Sequence, residues 1–163
     1  MTINAQELLL RVRDLEVEAL EALAEVDNAD AVEYFYHFQE AFPYFTNRIG
    51  GVDVGADSEE FDVYTYQVIM RLVIEHLTAD YEGENESKLQ LYIPQVINYF
   101  NSRALLQTTS GSYDTAMIHL TEARIANSTG FRIFTDAGIS AQQVGTEFVL
   151  TCVFEEEITQ AFN

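Results

Sequence analysis

Phe61-Asp62-Val63-Tyr64-Thr65-Tyr66-Gln67-Val68-Ile69-Met70-Arg71-Leu72-Val73-Ile74-Glu75-His76-Leu77 is the stretch that decides the fold. Val63, Thr65, Gln67, Ile69, Arg71, Val73 and Glu75 hold one parity, and Tyr64, Tyr66, Val68, Met70, Leu72, Ile74 and His76 hold the other. Side chains alternate across a strand, so this period, with so many β-branched and aromatic residues, predicts one long strand whose even positions face the core. Upstream, Pro43 to Ile49 reads as a second strand, opened by a proline and closed by Gly50-Gly51. Three glycines and several acids between Gly50 and Glu60 predict an exposed hairpin loop joining the two. Earlier still, Val32, Tyr34, Tyr36 and Phe38 alternate with Glu33 and His37 as a short strand, although Phe35 breaks the pattern.

Before these strands, Asn4 and Glu7 have capping-box spacing, and Leu8, Val12, Leu15, Ala19, Leu23 and Val26 recur at three- and four-residue intervals. A helix over 5–26 follows, with Arg11, Arg13, Asp14, Glu18, Glu21 and Glu25 on a solvated opposite face. Downstream, Leu89, Ile93, Val96, Ile97 and Phe100 fall on one face of a second helix. Pro94 would clash with the carbonyl of Gln90, which predicts a kink there or a regular helix beginning near Ile93. After a polar loop from Gln107 to Asp114 come a strand from about Ala116 to Asn127, a brief strand within Gly130 to Thr135, and a last long strand within Val144 to Ile158. Phe148, Leu150, Cys152 and Phe154 share one side of it, while Val149, Val153 and Glu155 make a semi-apolar outer side suited to a partner. The order predicts an α+β fold, an antiparallel (mixed) sheet of about 4–6 strands flanked on one face by an N-terminal and a second helix, as a single domain over 1–163.

Composition narrows the function classes. Eight Lys plus Arg against 27 Asp plus Glu give a formal charge of -19, which disfavours attraction to nucleic-acid backbones and to anionic membranes. Met1 to Glu7 carries no basic segment leading into an apolar core, and no long apolar run follows, so neither secretion nor membrane spanning is expected. The sequons at Asn85 and Asn127 read as chance matches in that setting. Cys152, the lone cysteine, reads as a buried thiol.

Catalytic signatures are missing. His37, His76 and His119 fall within expected strands at no zinc-like spacing, no Gly-x-Ser-x-Gly elbow occurs, and Gly50 to Gly55 lacks the Lys and Ser/Thr of a phosphate loop. Asp53, Asp57, Glu59, Glu60 and Asp62 could gather oxygen ligands for Ca²⁺, yet their spacing matches no EF-hand, and they read instead as a solvated acidic turn. No enzyme activity, cofactor or metal is expected.

The ordered segments resemble the tail terminator proteins of long-tailed bacteriophages, also called tail completion or head–tail joining proteins. The resemblance is carried by the N-terminal amphipathic helix, Phe42-Pro43-Tyr44-Phe45 leading into Asp62-Val63-Tyr64-Thr65-Tyr66-Gln67-Val68, the helix around Leu91-Tyr92-Ile93-Pro94-Gln95-Val96-Ile97-Asn98-Tyr99-Phe100, and Val144-Gly145-Thr146-Glu147-Phe148-Val149-Leu150-Thr151 before an acidic end. It implies a virion structural protein, assembled in the host cytoplasm. Copies of it would form a homo-hexameric ring that caps the head-proximal end of the tail tube and meets a head-completion or connector protein. DNA would pass through the lumen without specific binding. Other neck or tail components, such as a head-closure or tube subunit, and a small partner- or ligand-binding domain are the alternatives.

A ring needs two different patches on each subunit. Candidates for the contact between subunits are Val149 and Val153 with Tyr113, Phe131 and Arg132, and candidates for docking on tube or connector are the loop residues Asp53, Asp57, Glu59, Glu60, Thr109 and Ser112.

Overall fold

The computed structural model describes residues 5–23, 30–32, 42–56, 61–77, 84–108, 119–135 and 142–157. The elements are α1 (Ala5–Ala22), β1 (Asp30–Val32), β2 (Tyr44–Ala56), β3 (Phe61–His76), α2 (Glu84–Asn101), β4 (Leu120–Ser128), β5 (Arg132–Phe134) and β6 (Gln143–Glu157). The order is the one expected, and the fold is α+β.

All strands join one sheet in the order β1-β2-β3-β6-β4, with β5 also on β6. Every pairing is antiparallel except β1 with β2. β3 and β6 pair along nearly their whole length, from Phe61 opposite Glu157 to His76 opposite Gln143. The even positions of β3 do face the core: Val68, Met70, Leu72 and Ile74 are buried, and so are Phe148, Leu150, Cys152 and Phe154 opposite them. Leu8, Val12, Leu15, Ala19 and Leu20 of α1 and Leu89, Tyr92, Val96 and Phe100 of α2 cover that side, giving one continuous apolar cluster. Truncating a fully buried phenylalanine of this cluster, such as Phe148, costs on the order of 3–5 kcal/mol.

One expectation is corrected, and one of two alternatives is excluded. β2 does not close at Gly50-Gly51 but runs on to Ala56, paired to β3 throughout, with a bulge between Ile49 and Gly51. A bulge adds one residue to one strand and restores the ladder beyond it, so glycines that read as a turn instead switch the parity of β2. A Cβ on Gly50 would sit 2.8 Å from Ile69 Cγ1, which keeps this position small. Phe45, Asn47 and Ile49 therefore lie on the helix side before the bulge, and Val52, Val54 and Ala56 after it. α2 starts at Glu84, not near Ile93, and Pro94 lies inside it on the exposed side, where water can reach the carbonyl its ring leaves without a donor.

At the far end of the outer face, a small second cluster forms. Gly145 leaves room for Phe134 to cross β6 and stack on the Arg71 guanidinium, 4.0 Å from the ring centre. A Cβ at Gly145 would lie 1.9 Å from the Leu72 carbonyl oxygen. Arg71 also pairs with Glu147 at 3.4 Å, and Gln143 Nε2 donates to the Tyr44 hydroxyl at 2.7 Å.

Candidate interaction surface

The register converts the candidates read from the sequence into positions on two sheet faces. On the face away from the helices, Asp53, Thr65, Val153 and Glu122 form one cross-strand row, Gly51, Gln67, Thr151 and Arg124 the next, and Arg48, Ile69, Val149 and Asn127 a third. Ile69, Val149, Val153, Thr65 and Thr151 are half-buried, whereas Arg48, Asp53, Glu122, Arg124 and Asn127 are exposed. The outcome is an apolar and β-branched centre ringed by charges of both signs, the arrangement of an interface core within a polar rim.

Asp53 thus stands in a strand, not in the loop expected for it, and it shares a row with Val153 about 10 Å away across two strand spacings. Arg132 opens β5 opposite Gly145, about 13 Å along β6 from Val149, and is exposed beside the exposed Ile133. Phe131 packs against the core instead. Val149 and Val153 therefore lie together on one surface with Asp53, while Arg132, on the same face by its register with Gly145, stands at the far end of β6. Tyr113, Asp57, Glu59, Glu60, Thr109 and Ser112 lie outside the described residues, as does His37. Asp53 and Asp62 point to opposite sides of the sheet, so these two do not converge on one cation. Among the described residues no group of three or more His, Cys, Asp or Glu is placed to hold a metal ion, and no helix is long and apolar enough to cross a membrane.

The two lateral edges of the sheet differ. On β4, Asn101 behaves like a strand residue: its Nδ2 donates to the Ile125 carbonyl at 3.3 Å and its Oδ1 accepts from the Ile125 N–H at 2.8 Å. The Ala123 N–H donates to the Ala104 carbonyl. That edge is closed by the turn after α2. On β2, β1 covers only Tyr44, Phe45 and Thr46, and among the described residues no strand pairs with the outer edge beyond them.

Several polar groups in the structure were not singled out from the sequence. Glu16 is completely buried between α1 and β2, where one carboxyl oxygen accepts from Asn47 Nδ2 and Oε2 has no hydrogen-bond partner. Burial pushes its pKa well above the ordinary carboxylate range, opposed by the Asn47 hydrogen bond. The signal was present, because Leu8, Val12, Glu16 and Leu20 form one four-residue ridge. Glu18 is not simply solvated: it accepts the Tyr99 hydroxyl at 2.6 Å, joining the helices, while Arg103 stacks on that ring at 3.7 Å. Burial first, then the Glu18 hydrogen bond, push the Tyr99 phenol up to about 12. The Cys152 thiol is likewise pushed up to about 12 by burial, in the middle of a strand where no base activates it.

Compared with known families and curated proteins, the chain matches no family model and no curated protein.

Proposed function

We propose that the chain is a structural assembly subunit of a phage virion: a terminator that closes the head-proximal end of a tail tube as a six-membered ring and offers the joining surface to the head. The observation that carries this reading is the outer stripe of Ile69, Val149 and Val153 with its mixed-charge rim, on a sheet whose other face is covered by helices over most of its length. Unlike edges support the same reading. One edge is closed by Asn101, and among the described residues the other has no paired strand along β2 beyond Thr46, so head-to-tail contact between unlike patches is favoured over a two-fold contact between identical ones. The acidic balance of -19 suits a passage that must let DNA through without holding it.

Light scattering combined with negative-stain imaging over a concentration series tests this. The expected result is a ring with an open centre and the mass of six 18.5 kDa chains, about 111 kDa, alone or on addition of tail tubes. A compact two-fold dimer that buries the outer stripe, unchanged by tubes, would refute it.

A further inference from the structure

The helix side of the arm formed by the ends of β2, β3 and β6 differs in exposure from strand to strand. In the rows Val52, Tyr66, Cys152 and Val54, Tyr64, Phe154, the β6 members are fully buried and the tyrosines half-buried, while Val52 is 45% and Val54 62% exposed. Among the described residues the cover on this face stops above β3 and leaves a ledge floored by Val52, Val54, Tyr64 and part of Tyr66. Tyr66 meets Phe154 edge to face at 5.7 Å, so the ledge continues the core without a break. One row nearer the tip, Asp62 and Glu156 are paired residues on this same side. Like charges directly opposite each other across a sheet repel, and a cation placed between them relieves the repulsion.

We propose that this ledge is the docking site for a cationic amphipathic helix of a partner protein. Its apolar residues would lie on Val52, Val54 and Tyr64, and a Lys or Arg one turn further along would sit between Asp62 and Glu156. Three observations select this occupant. Exposed valines that extend a core gain stability when apolar side chains cover them. The layer already on this side of the sheet consists of α1 and α2, and a helix advances about 5.4 Å per turn against about 6.8 Å between alternate strand residues, so successive turns meet successive rows. The acidic pair Asp62 and Glu156 beside the ledge would face its own counterpart in a second copy of the chain and favours a basic partner. The inference concerns the side opposite the outer stripe and does not depend on ring formation.

The probe is a fluorescein-labelled helical peptide of about 18 residues, with leucines at four-residue spacing and lysines one turn beyond, set against the same peptide with Glu for Lys. Binding is read by anisotropy over a salt series. The Lys peptide is expected to bind saturably and the Glu peptide not at all. The paired substitution Val52→Ser and Val54→Ser, which changes no charge, should weaken binding at least about tenfold, an apolar effect on k_off. Asp62→Asn with Glu156→Gln should weaken it and flatten its salt dependence. Glu86→Gln with Glu21→Gln, exposed acids on the helices, should leave it unchanged.

Absence of saturable binding to the wild-type chain overturns the proposal. Equal binding by the serine variant overturns it too, since diffuse attraction to an acidic chain would then suffice. Self-association of the wild-type chain that the serine variant loses would mean that a second copy covers the ledge, and also overturns it. Circular dichroism checks that each variant is folded, and the Asp62/Glu156 pair gives an independent result should the serines disturb the arm. Ring formation is not a readout, so failure here leaves the ring reading standing, and failure of the ring leaves this one.

Discussion

Replacing Glu16 with Gln should make the protein more stable, by an amount that grows with pH. The carboxyl has no exposure to solvent, and burial raises its pKa well above the ordinary value. In the unfolded chain it titrates at about 4.3. A group whose folded pKa is raised contributes most below the unfolded pKa, and that contribution is lost as pH climbs toward the folded pKa. In that window wild-type stability falls by about 1.4 kcal/mol per pH unit relative to a chain with no proton to lose. Glutamine has the same shape, keeps an oxygen to accept from Asn47 Nδ2, and does not titrate. The stability difference between variant and wild type should therefore be near its minimum at about pH 4, widen by about 1.4 kcal/mol for each pH unit from there to the folded pKa, and level off above it. Urea unfolding at pH 4.5, 5.5, 6.5 and 7.5 measures it, and taking the difference at each pH cancels the other acids. With an m-value of about 2 kcal/mol/M, each unit moves the midpoint by about 0.7 M. A difference that stays constant across the series, or that narrows as pH rises, would refute the placement of Glu16 in the core.

Val153→Asp should leave the far-ultraviolet dichroism unchanged and abolish ring or tail association in sizing chromatography, because Val153 is half-buried on the outer face beside Thr65 and Glu122; loss of folding would mean that this face is core. Cys152 should resist a thiol reagent at pH 8 in the folded chain, since burial pushes its pKa up to about 12, and react at once in denaturant; fast native reaction would contradict the packing of β6. Gly145→Ala should destabilise strongly, by more than about 2 kcal/mol in urea unfolding, because its Cβ meets the Leu72 carbonyl; a neutral outcome would show that β3 and β6 can separate there.

What could be read in advance follows the range of the physical signal. Alternation in Phe61–His76 and in Val144–Phe154 is local, and it assigned core and outer faces correctly because a strand alternates whatever it pairs with. The helical ridges behave the same way, including the Leu8, Val12, Glu16, Leu20 line, whose acidic member runs against the usual exposure of single carboxylates. Gly50-Gly51 was misread for a local reason, since glycine serves a tight turn and a bulge equally well and only the partner strand decides between them. The row joining Asp53, Thr65 and Val153 depends on register across three strands, and nothing in any one segment encodes it. Closure of the β4 edge by Asn101 is hidden for the same reason, as its partner Ile125 lies on a different element.

The bulge at Gly50 also limits how the length of this chain can vary. Deletion of Gly50 would leave plain alternation with Val52 still opposite Tyr66, but insertion of one residue after Gly51 would turn the rest of β2 over. Val52 and Val54 would move to the outer stripe and Asp53 to the ledge, exchanging two surfaces at a stroke. Related chains should therefore occur with and without the bulge residue, and a one-codon insertion between Gly51 and Ala56 should be far more damaging than loss of Gly50 or any point change nearby.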